Sequence, residues 1–374
     1  MNHDDVYAAQ RLRNFLMRSR NLLEGGNTRL VLGFIGDSWV RGSGLPALGD
    51  ARRTRYFMPG LTTALQRLYG DAGGGWCGLS YATSGDRRGG SANPDRLFQS
   101  GTGDWSTSKN DRPVADLCTS VSGTPGDTIR VTNTLGPTSE VRLHCVAGGS
   151  IDYRWNEGPW RRLDQFAAGH VMELTGFPLV GAWTLDIKVA SGVVELAGIE
   201  HRNDNPGIRI HNLGAGGSTA LDWSSVDAAT WQACIAALDL HTALTFFGTN
   251  DQKRITPQEH GSSLARLVHS LRAAAPDVDI ALGTSPESGD LTEPRPGRPM
   301  RLYMAEARRL AIDQALCHID CQPAFGDVSN YKYSGPRPLL DDSLIHPSVE
   351  GMRVIESRYL RVLGPVNAQA GVPA

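Results

Sequence analysis

The first residue whose position could support chemistry is a serine that follows a buried strand. Residues 31–35 form a short apolar run that predicts a strand, and Gly36-Asp37-Ser38 breaks it. Strands of an open α/β sheet end at the crevice where such sheets bind ligands. A serine hydroxyl placed there becomes a nucleophile when a neutral imidazole accepts its proton. Gly-Asp-Ser is also an ordinary turn sequence, so this block alone decides nothing.

A candidate base stands far downstream. His346 lies in Asp341-Asp-Ser-Leu-Ile-His-Pro-Ser348, just before a helix predicted over residues 349–363. A histidine in this place could take the Ser38 proton and later return it to a leaving alcohol. The alternative is a surface histidine at a helix start. Asn250, in Gly248-Thr-Asn-Asp251, is another polar residue after a predicted strand, with helix capping as its alternative.

The elements that must position these residues form an alternating series. After a helix predicted over residues 5–23 and the strand before Ser38, a helix is predicted over residues 59–69. Beyond residue 206 the predicted strands are 207–211, 242–247, 278–282 and 317–321, and the predicted helices are 228–238, 257–275, 300–315 and 349–363. Strands alternating with helices indicate a parallel sheet covered on both faces.

A different pattern interrupts this series between about residues 104 and 202. Short alternating strands are predicted at 128–132, 140–146, 151–155, 170–174, 183–189 and 193–199, separated by Gly, Pro and Asn turns. Such spacing is typical of an antiparallel β-sandwich or jelly roll. The α/β signals resume afterwards, so the second domain is predicted as an insertion: residues 1–85 and 204–374 form the α/β domain and residues 86–203 the insert.

Composition excludes several classes of function. The 374 residues carry a net charge of -2 and 40% apolar residues, so neither nucleic acid nor a membrane surface is an expected partner. No apolar run approaches the length of a membrane span. The amino terminus lacks the pattern of a signal peptide. Synthesis in the cytoplasm is therefore expected, with assembly into a phage particle as another possibility; no oligomeric state follows from the sequence.

Metal and cofactor chemistry find little support. The six cysteines show no C-x-x-C spacing. Cys317 and Cys321 fall on one face of a predicted strand, where buried packing is favoured over a metal site or a disulfide. The histidines lack a His-x-x-x-His spacing. No metal and no cofactor are expected.

Four blocks in order resemble the SGNH (GDSL-type) hydrolases, a family of serine esterases, lipases and carbohydrate deacetylases on a flavodoxin-like sheet. They are Gly36-Asp37-Ser38, the glycine of Asn212-Leu-Gly-Ala-Gly-Gly217-Ser-Thr, Gly248-Thr-Asn250-Asp251 and His346-Pro-Ser-x-x-Gly351. The resemblance covers about residues 28–70 and 207–363. It implies a three-layer α/β/α hydrolase core with an inserted, jelly-roll-like β-sandwich.

The resemblance also implies site residues. Ser38 would be the nucleophile and His346 the base, and an oxyanion hole would comprise the Ser38 N–H, the Gly217 N–H and the Asn250 amide. The family usually has Asp three residues before the histidine, where this chain has Ser343. Asp342 is the expected partner of the imidazole, on the assumption of one inserted residue. Asp341, or a dyad with a backbone carbonyl in that role, is the alternative.

The predicted insert helps to indicate the class of substrate. Some SGNH carbohydrate O-acetylesterases carry a β-sandwich at the same place, and similar esterases occur on phage tails. Trp155 and Trp160 lie in a segment rich in arginine and could stack on sugar rings, or they could belong to the core of a hairpin. The expected activity is hydrolysis of O-acetyl or other small acyl esters on a polysaccharide. A lipase or thioesterase for longer chains, and an inert carbohydrate-binding or virion protein, are the alternatives.

Overall fold

The computed structural model describes residues 6–42, 57–80, 90–164, 170–288 and 299–365. Its strands are β1 Val6–Tyr7, β2 Arg29–Gly36, β3 Gly75–Gly78, β4 Leu97–Thr102, β5 Ser106–Lys109, β6 Cys118–Ser122, β7 Thr128–Asn133, β8 Glu140–Trp155, β9 Arg161–Asp164, β10 His170–Glu173, β11 Trp183–Arg202, β12 Gly207–Gly214, β13 Thr242–Phe247, β14 Asp279–Thr284 and β15 Cys317–Asp320. Its α-helices are α1 Arg13–Leu23, α2 Ser38–Arg41, α3 Met58–Tyr69, α4 Ala220–Ser225, α5 Ala228–Ala236, α6 Asp251–Arg254, α7 Pro257–Ala274, α8 Met300–Asp313, α9 Gln322–Phe325, α10 Val328–Tyr331 and α11 Val349–Leu363.

The α/β domain is built on one sheet with the order β1-β15-β14-β13-β2-β12. Neighbouring strands from β15 to β12 pair in parallel, and only the edge strand β1 is antiparallel. Side chains of β2 alternate between two cores. Leu30, Leu32 and Phe34 pack into one helix layer, whereas Val31 and Ile35 pack into the other. The uninterrupted apolar run before Ser38 therefore reflects burial on both faces, and the predicted three-layer, flavodoxin-like fold is confirmed.

The insert is an antiparallel sheet dominated by β8 and β11, which pair along most of their length. On its other edge β11 pairs successively with β7, β6 and β3. Leu185, Ile187 and Val189 face a separate apolar core, while Asp186 and Lys188 lie on the opposite face. The predicted inserted β domain is thus confirmed, with a core of its own.

The sequence predicts a turn within the range of β8 and another within that of β11, and both predictions are wrong. The sequence predicts four strands at 140–146, 151–155, 183–189 and 193–199, whereas the structure has two long ones. Gly149 lies against the Ser191 carbonyl, where a Cβ would overlap it. The pairing shifts register on both sides of Ser191. The small residues therefore mark β-bulges at which both strands bend without separating.

Smaller differences concern the amino terminus and the domain boundaries. The predicted helix over residues 5–23 begins only at Arg13, after β1 and a 3₁₀ turn at Ala9–Arg11. The predicted boundary between residues 85 and 86 lies outside the described residues. However, β3 at Gly75–Gly78 already pairs with β11 in the sheet of the insert. The second predicted boundary, between residues 203 and 204, stays a prediction; β11 ends at Arg202 and β12 begins at Gly207.

The cysteines are buried thiols. All six are free, and Cys317 and Cys321 pack in the α/β core. Burial raises the pKa of Cys317 to about 12, so its thiolate is not populated near neutral pH. Packing is thus their role in the structure. No helix in the described ranges is long and apolar enough to cross a membrane.

Candidate active site

Ser38 lies where β2 turns directly into α2. The strand ends at Gly36 and the helix begins at Ser38, so Asp37 alone makes the turn and accepts the Trp39 N–H at 2.9 Å. A Cβ at Gly36 would lie 2.5 Å from the Phe246 carbonyl oxygen. Glycine is therefore needed for β2 and β13 to approach each other there. The serine is held at the carboxyl end of a central strand and is only 6% exposed.

His346 faces Ser38 directly. Its Nε2 lies 2.9 Å from the Ser38 Oγ, although 308 residues separate the two in the chain. The His346 loop is closed by a hydrogen bond from the Asp341 N–H to the His346 carbonyl at 2.9 Å and by a bridge between Leu340 and Pro347. His346 is therefore not a surface histidine at a helix start. The geometry is that of a hydroxyl and the base that takes its proton.

The charge state of His346 suits this role. Burial lowers the pKa of His346 below its ordinary value, the Asp341 carboxylate opposes the shift, and Lys253 adds to it. The imidazole is then neutral at neutral pH. A neutral ring whose Nδ1 carries the proton leaves Nε2 free to accept the Ser38 hydroxyl proton.

A serine stands between the histidine and its nearest acid. The His346 Nδ1 lies 3.4 Å from the Ser343 Oγ, and that hydroxyl in turn contacts the Asp341 Oδ1. The Ser343 Oγ also accepts the backbone N–H groups of Ile345 and His346 at 3.3 and 3.2 Å. Because Ser343 can donate its proton to Asp341, its oxygen is an acceptor for the imidazole N–H. The negative charge of Asp341 thus reaches the ring through a hydroxyl.

Asp342 does not take the place that the sequence predicts. It is exposed to solvent, and the ring bonds of His346 go to Ser38 and Ser343. The reason is a tight turn: the Asp341 carboxylate accepts the Ser343 N–H at 3.0 Å, and Leu344 adopts a positive φ of 59°. This turn directs Asp341 inward and Asp342 outward. The structure therefore corrects the choice of Asp342 in favour of the alternative, Asp341.

We expect Asp341→Asn to reduce kcat by about tenfold to a hundredfold, less than loss of a directly bonded aspartate, because the charge acts through Ser343. Removing that charge also lowers the pKa of His346, so the acidic limb of the kcat/KM profile should move to lower pH. Ser343→Ala should reduce the rate similarly. Asp342→Asn is the matched control and should leave rate and pH profile unchanged; the reverse ranking of the two aspartates would contradict this arrangement.

Asn250 lies beside both Ser38 and the Gly217 loop, and it does not cap α6 with its side chain. Its Nδ2 donates to the Ser218 carbonyl at 3.0 Å and lies 3.4 Å from the Asp37 Oδ2. Among the described residues, the backbone N–H groups of Ser38 and Gly217 donate to no hydrogen-bond acceptor. Gly217 has a φ of 79°, a conformation that favours glycine. Their joint use as an oxyanion hole stays a prediction.

The carboxyl group next to the nucleophile is largely neutral. Asp37 is fully buried, and burial raises its pKa to about 8, with the Asp251 charge adding to the shift and the Trp39 N–H opposing it. A protonated Asp37 puts no full negative charge beside Ser38. Negative charge developing on an acyl oxygen near Ser38 is therefore not repelled by this group.

Several buried residues that the sequence analysis did not single out hold these loops together. Asn212 donates through Nδ2 to the Val40 carbonyl at 2.9 Å, which ties β12 to α2. Asp251 accepts the Ala220 N–H at 3.0 Å and the His260 ring nitrogen at 2.7 Å. These bonds join distant parts of the chain. The available sequence signal was only a polar residue at the end of an apolar strand.

The two tryptophans of the insert differ. Trp155 is 7% exposed, donates its indole N–H to the Thr175 carbonyl at 2.9 Å and packs edge-to-face on Trp183. Its predicted contact with substrate is wrong, because the ring belongs to the core of the insert. Trp160 is 38% exposed, and the charged groups of Arg154 and Lys188 lie 4.5 and 4.0 Å from its ring centre. Trp160 remains a candidate for substrate contact.

Within the described part of the chain, no group of three or more His, Cys, Asp or Glu side chains is arranged to bind a metal ion. Independence from metals and cofactors stays a prediction. The described residues provide a serine, an imidazole and nearby amide donors. These are the groups that acyl transfer through a covalent intermediate requires.

A family model matches the α/β domain. Residues 197–354 match the GDSL-like Lipase/Acylhydrolase family. The matched range contains Gly217, Asn250 and His346, whereas Ser38 lies outside it, on the other side of the insert. This part of the chain, less than half of its length, is therefore similar to GDSL-like lipases and acylhydrolases, and the enzyme class is carboxylic ester hydrolase.

Solved structures extend the similarity to the insert. A structure described as a peptidoglycan O-acetylesterase in action has a TM-score of 0.71 and 19% sequence identity, covering 98% of this chain and 99% of that chain. An acetylxylan esterase from Geobacillus stearothermophilus matches at 26% identity over 43% of this chain and 74% of its own, with a TM-score of 0.35. A family two carbohydrate esterase from Cellvibrio japonicus matches at 13% identity over 71% of this chain and 98% of its own, with a TM-score of 0.31. No curated protein matches at a significant level.

Proposed function

We propose that this chain is a serine esterase that removes O-acetyl groups from an acetylated polysaccharide. The observation that carries the esterase part is the contact of 2.9 Å between the Ser38 Oγ and the His346 Nε2. Support for the glycan part comes from the peptidoglycan O-acetylesterase structure, whose similarity spans the insert as well as the α/β domain. The glycan and the acetylated hydroxyl are left to experiment.

The proposed reaction has two halves. Ser38 attacks the acyl carbonyl while His346 takes its proton, and the Ser38 N–H, the Gly217 N–H and the Asn250 amide stabilise the oxyanion. The attack gives a tetrahedral intermediate. Its collapse leaves an acyl group on Ser38 and releases the sugar, whose oxygen receives the proton from His346. Water then attacks the acyl-enzyme with His346 as base, and Ser38 leaves with the returned proton.

Hydrolysis rates on p-nitrophenyl acetate, butyrate and octanoate test the acyl preference, and acetate release from O-acetylated peptidoglycan and acetylated xylan tests the glycan. We expect the acetate ester to be the best small substrate and at least one polymer to release acetate in a Ser38-dependent reaction. A preference for octanoate would indicate a lipase. Absence of any Ser38-dependent turnover would leave an inert binding protein.

A polar cleft on the insert is suited to a sugar. Beside Trp160 lies a cavity of about 440 Å³, lined by Ser100, Gly101, Thr102, Thr128, Arg130, Arg154, Trp160 and Asp186. Asp186 fixes Arg130 and Arg154 through bonds of 2.6 to 2.9 Å, so these groups are held in place before any ligand arrives. The Trp160 ring offers an apolar surface to a sugar, and the hydroxyl and guanidinium groups beside it can form hydrogen bonds with sugar hydroxyls.

We expect Trp160→Ala to reduce kcat/KM on the acetylated polymer roughly three- to tenfold, the range given by loss of one aromatic contact. The rate on p-nitrophenyl acetate should not change, because this small ester has no sugar that could contact Trp160 and gains nothing from remote contacts. Trp160→Phe should retain most of the polymer activity. Leu135→Ala removes another exposed apolar side chain of the insert and is the control; equal losses on both substrates would contradict a binding role for Trp160.

A further inference from the structure

The insert sends one side chain into the loop that carries Gly217. Asn110 follows β5 in a left-handed conformation with a φ of 63°, and its backbone N–H donates to the Leu117 carbonyl at 2.9 Å. Its side-chain Nδ2 donates to the Gly216 carbonyl at 3.1 Å across 106 residues of sequence. Asn110 therefore contacts the loop that follows β12 from a different domain.

The Gly216 carbonyl, which accepts this bond, belongs to the same peptide group as the Gly217 N–H. In a trans peptide the carbonyl and the N–H of one plane point in opposite directions. A donor fixed on the Gly216 carbonyl thus sets the direction of the Gly217 N–H and polarises it. Two adjacent glycines give this segment unusual rotational freedom, so its orientation depends on outside contacts.

The next peptide is held as well. The Arg254 Nη1 donates to the Gly217 carbonyl at 3.0 Å, and Asp222 fixes the same guanidinium through contacts of 2.9 and 3.1 Å. Arg254 belongs to the α/β domain, whereas Asn110 belongs to the insert. Gly217 is therefore clamped from two sides, by one group from each domain.

Asn110 is itself held firmly. The segment after it contributes Val114, Ala115, Leu117 and Cys118 to the same apolar core as Leu213 and Ala215, which flank the Gly217 loop. The Asn110 Oδ1 is buried and, within the described residues, has no hydrogen-bond partner. The bond from Nδ2 to the Gly216 carbonyl is thus the one side-chain hydrogen bond that Asn110 makes within the described residues.

We propose that Asn110 is a positioning residue of the oxyanion hole: it holds the Gly216–Gly217 peptide so that the Gly217 N–H faces the developing oxyanion. This inference rests on the proposed function. It makes the insert a part of the catalytic unit in addition to any role in binding glycan. The expected consequence is a loss of transition-state stabilisation without a loss of substrate binding when the amide donor is removed.

The test is Asn110→Asp in the full chain. Aspartate tolerates the left-handed conformation but presents an acceptor where the bond needs a donor. On p-nitrophenyl acetate we expect kcat to fall by about 10- to 50-fold and KM to change less than twofold. Inhibition by a tetrahedral boronate, which mimics the oxyanion, should weaken by a similar factor.

Asn110→Gly is the second variant, since it keeps the backbone freedom and deletes the side chain; it should lose activity in the same pattern. Asn156→Asp is the matched control, because Asn156 also has a positive φ, of 47°, in a turn of the insert and uses its Oδ1 as an acceptor. Full activity of both Asn110 variants, or losses in KM and kcat together with a lowered melting temperature, would overturn the inference alone. Wild-type protein without Ser38-dependent turnover would overturn the proposed function and this inference with it.

Discussion

Ser38→Ala is expected to lower turnover of acetyl esters by about 10⁴-fold or more, the effect of removing a serine nucleophile from an intact site. The side chain is small, and its one described side-chain bond is to His346. Its loss leaves the packing of β2 and α2 unchanged, so the melting temperature should stay near that of the wild type. Initial rates on p-nitrophenyl acetate and a thermal melt measure both quantities.

Ser120→Ala is the matched control for this variant. Ser120 is also buried and donates to a backbone carbonyl, that of Leu79, but it lies in the insert on β6. The Ser120→Ala variant should turn over p-nitrophenyl acetate at the wild-type rate. Turnover within a few-fold of wild type in Ser38→Ala would show that another group performs the nucleophilic step.

Asn250→Ala should reduce kcat by about 10² to 10³, with little change in KM, because a donor to the oxyanion acts mainly in the transition state. In the resting site one amide N–H is engaged by the Ser218 carbonyl at 3.0 Å. The other faces the Asp37 carboxyl at a long 3.4 Å, so a stronger acceptor can take it at little cost. Steady-state kinetics on aryl acetates measure the separation of kcat from KM.

Asn203→Ala controls for loss of a buried asparagine, since within the described ranges its side chain makes a single hydrogen bond, from the nearby Asn205 N–H. Its kinetics should match the wild type. A loss in Asn250→Ala that appears in KM, or one smaller than about threefold in kcat, would remove the Asn250 amide from the oxyanion hole.

Much of the α/β domain could be predicted because local and tertiary preferences agree. The apolar run before Ser38 is buried on both faces of a central strand, and the helices predicted over residues 59–69, 257–275 and 349–363 lie within one residue of their observed bounds. The strands of the insert were harder to predict from the sequence. Glycine at position 149 favours a turn locally, but it permits a close approach of β8 and β11 that only the paired sheet makes favourable.

The candidate site, too, could be predicted only where a local motif indicates the residue. Ser38 and His346 could be identified because each occupies a short motif next to a predicted element. The choice between Asp341 and Asp342 depended on the turn at Ser343 and Leu344, whose positive φ no local pattern indicates. Asn110 carried no signal at all, since its role arises only when the insert meets the loop after β12.

Covalent labelling with a fluorophosphonate tests the central claim, that Ser38 is a nucleophile activated by His346. The reagent transfers its phosphonyl group to an activated serine with loss of fluoride, and peptide mapping by mass spectrometry locates the adduct. We expect a single adduct on Ser38, absent in Ser38→Ala and formed at least a hundredfold more slowly in His346→Ala. An adduct on a different serine, or labelling of Ser38 at the same rate without His346, would contradict the claim.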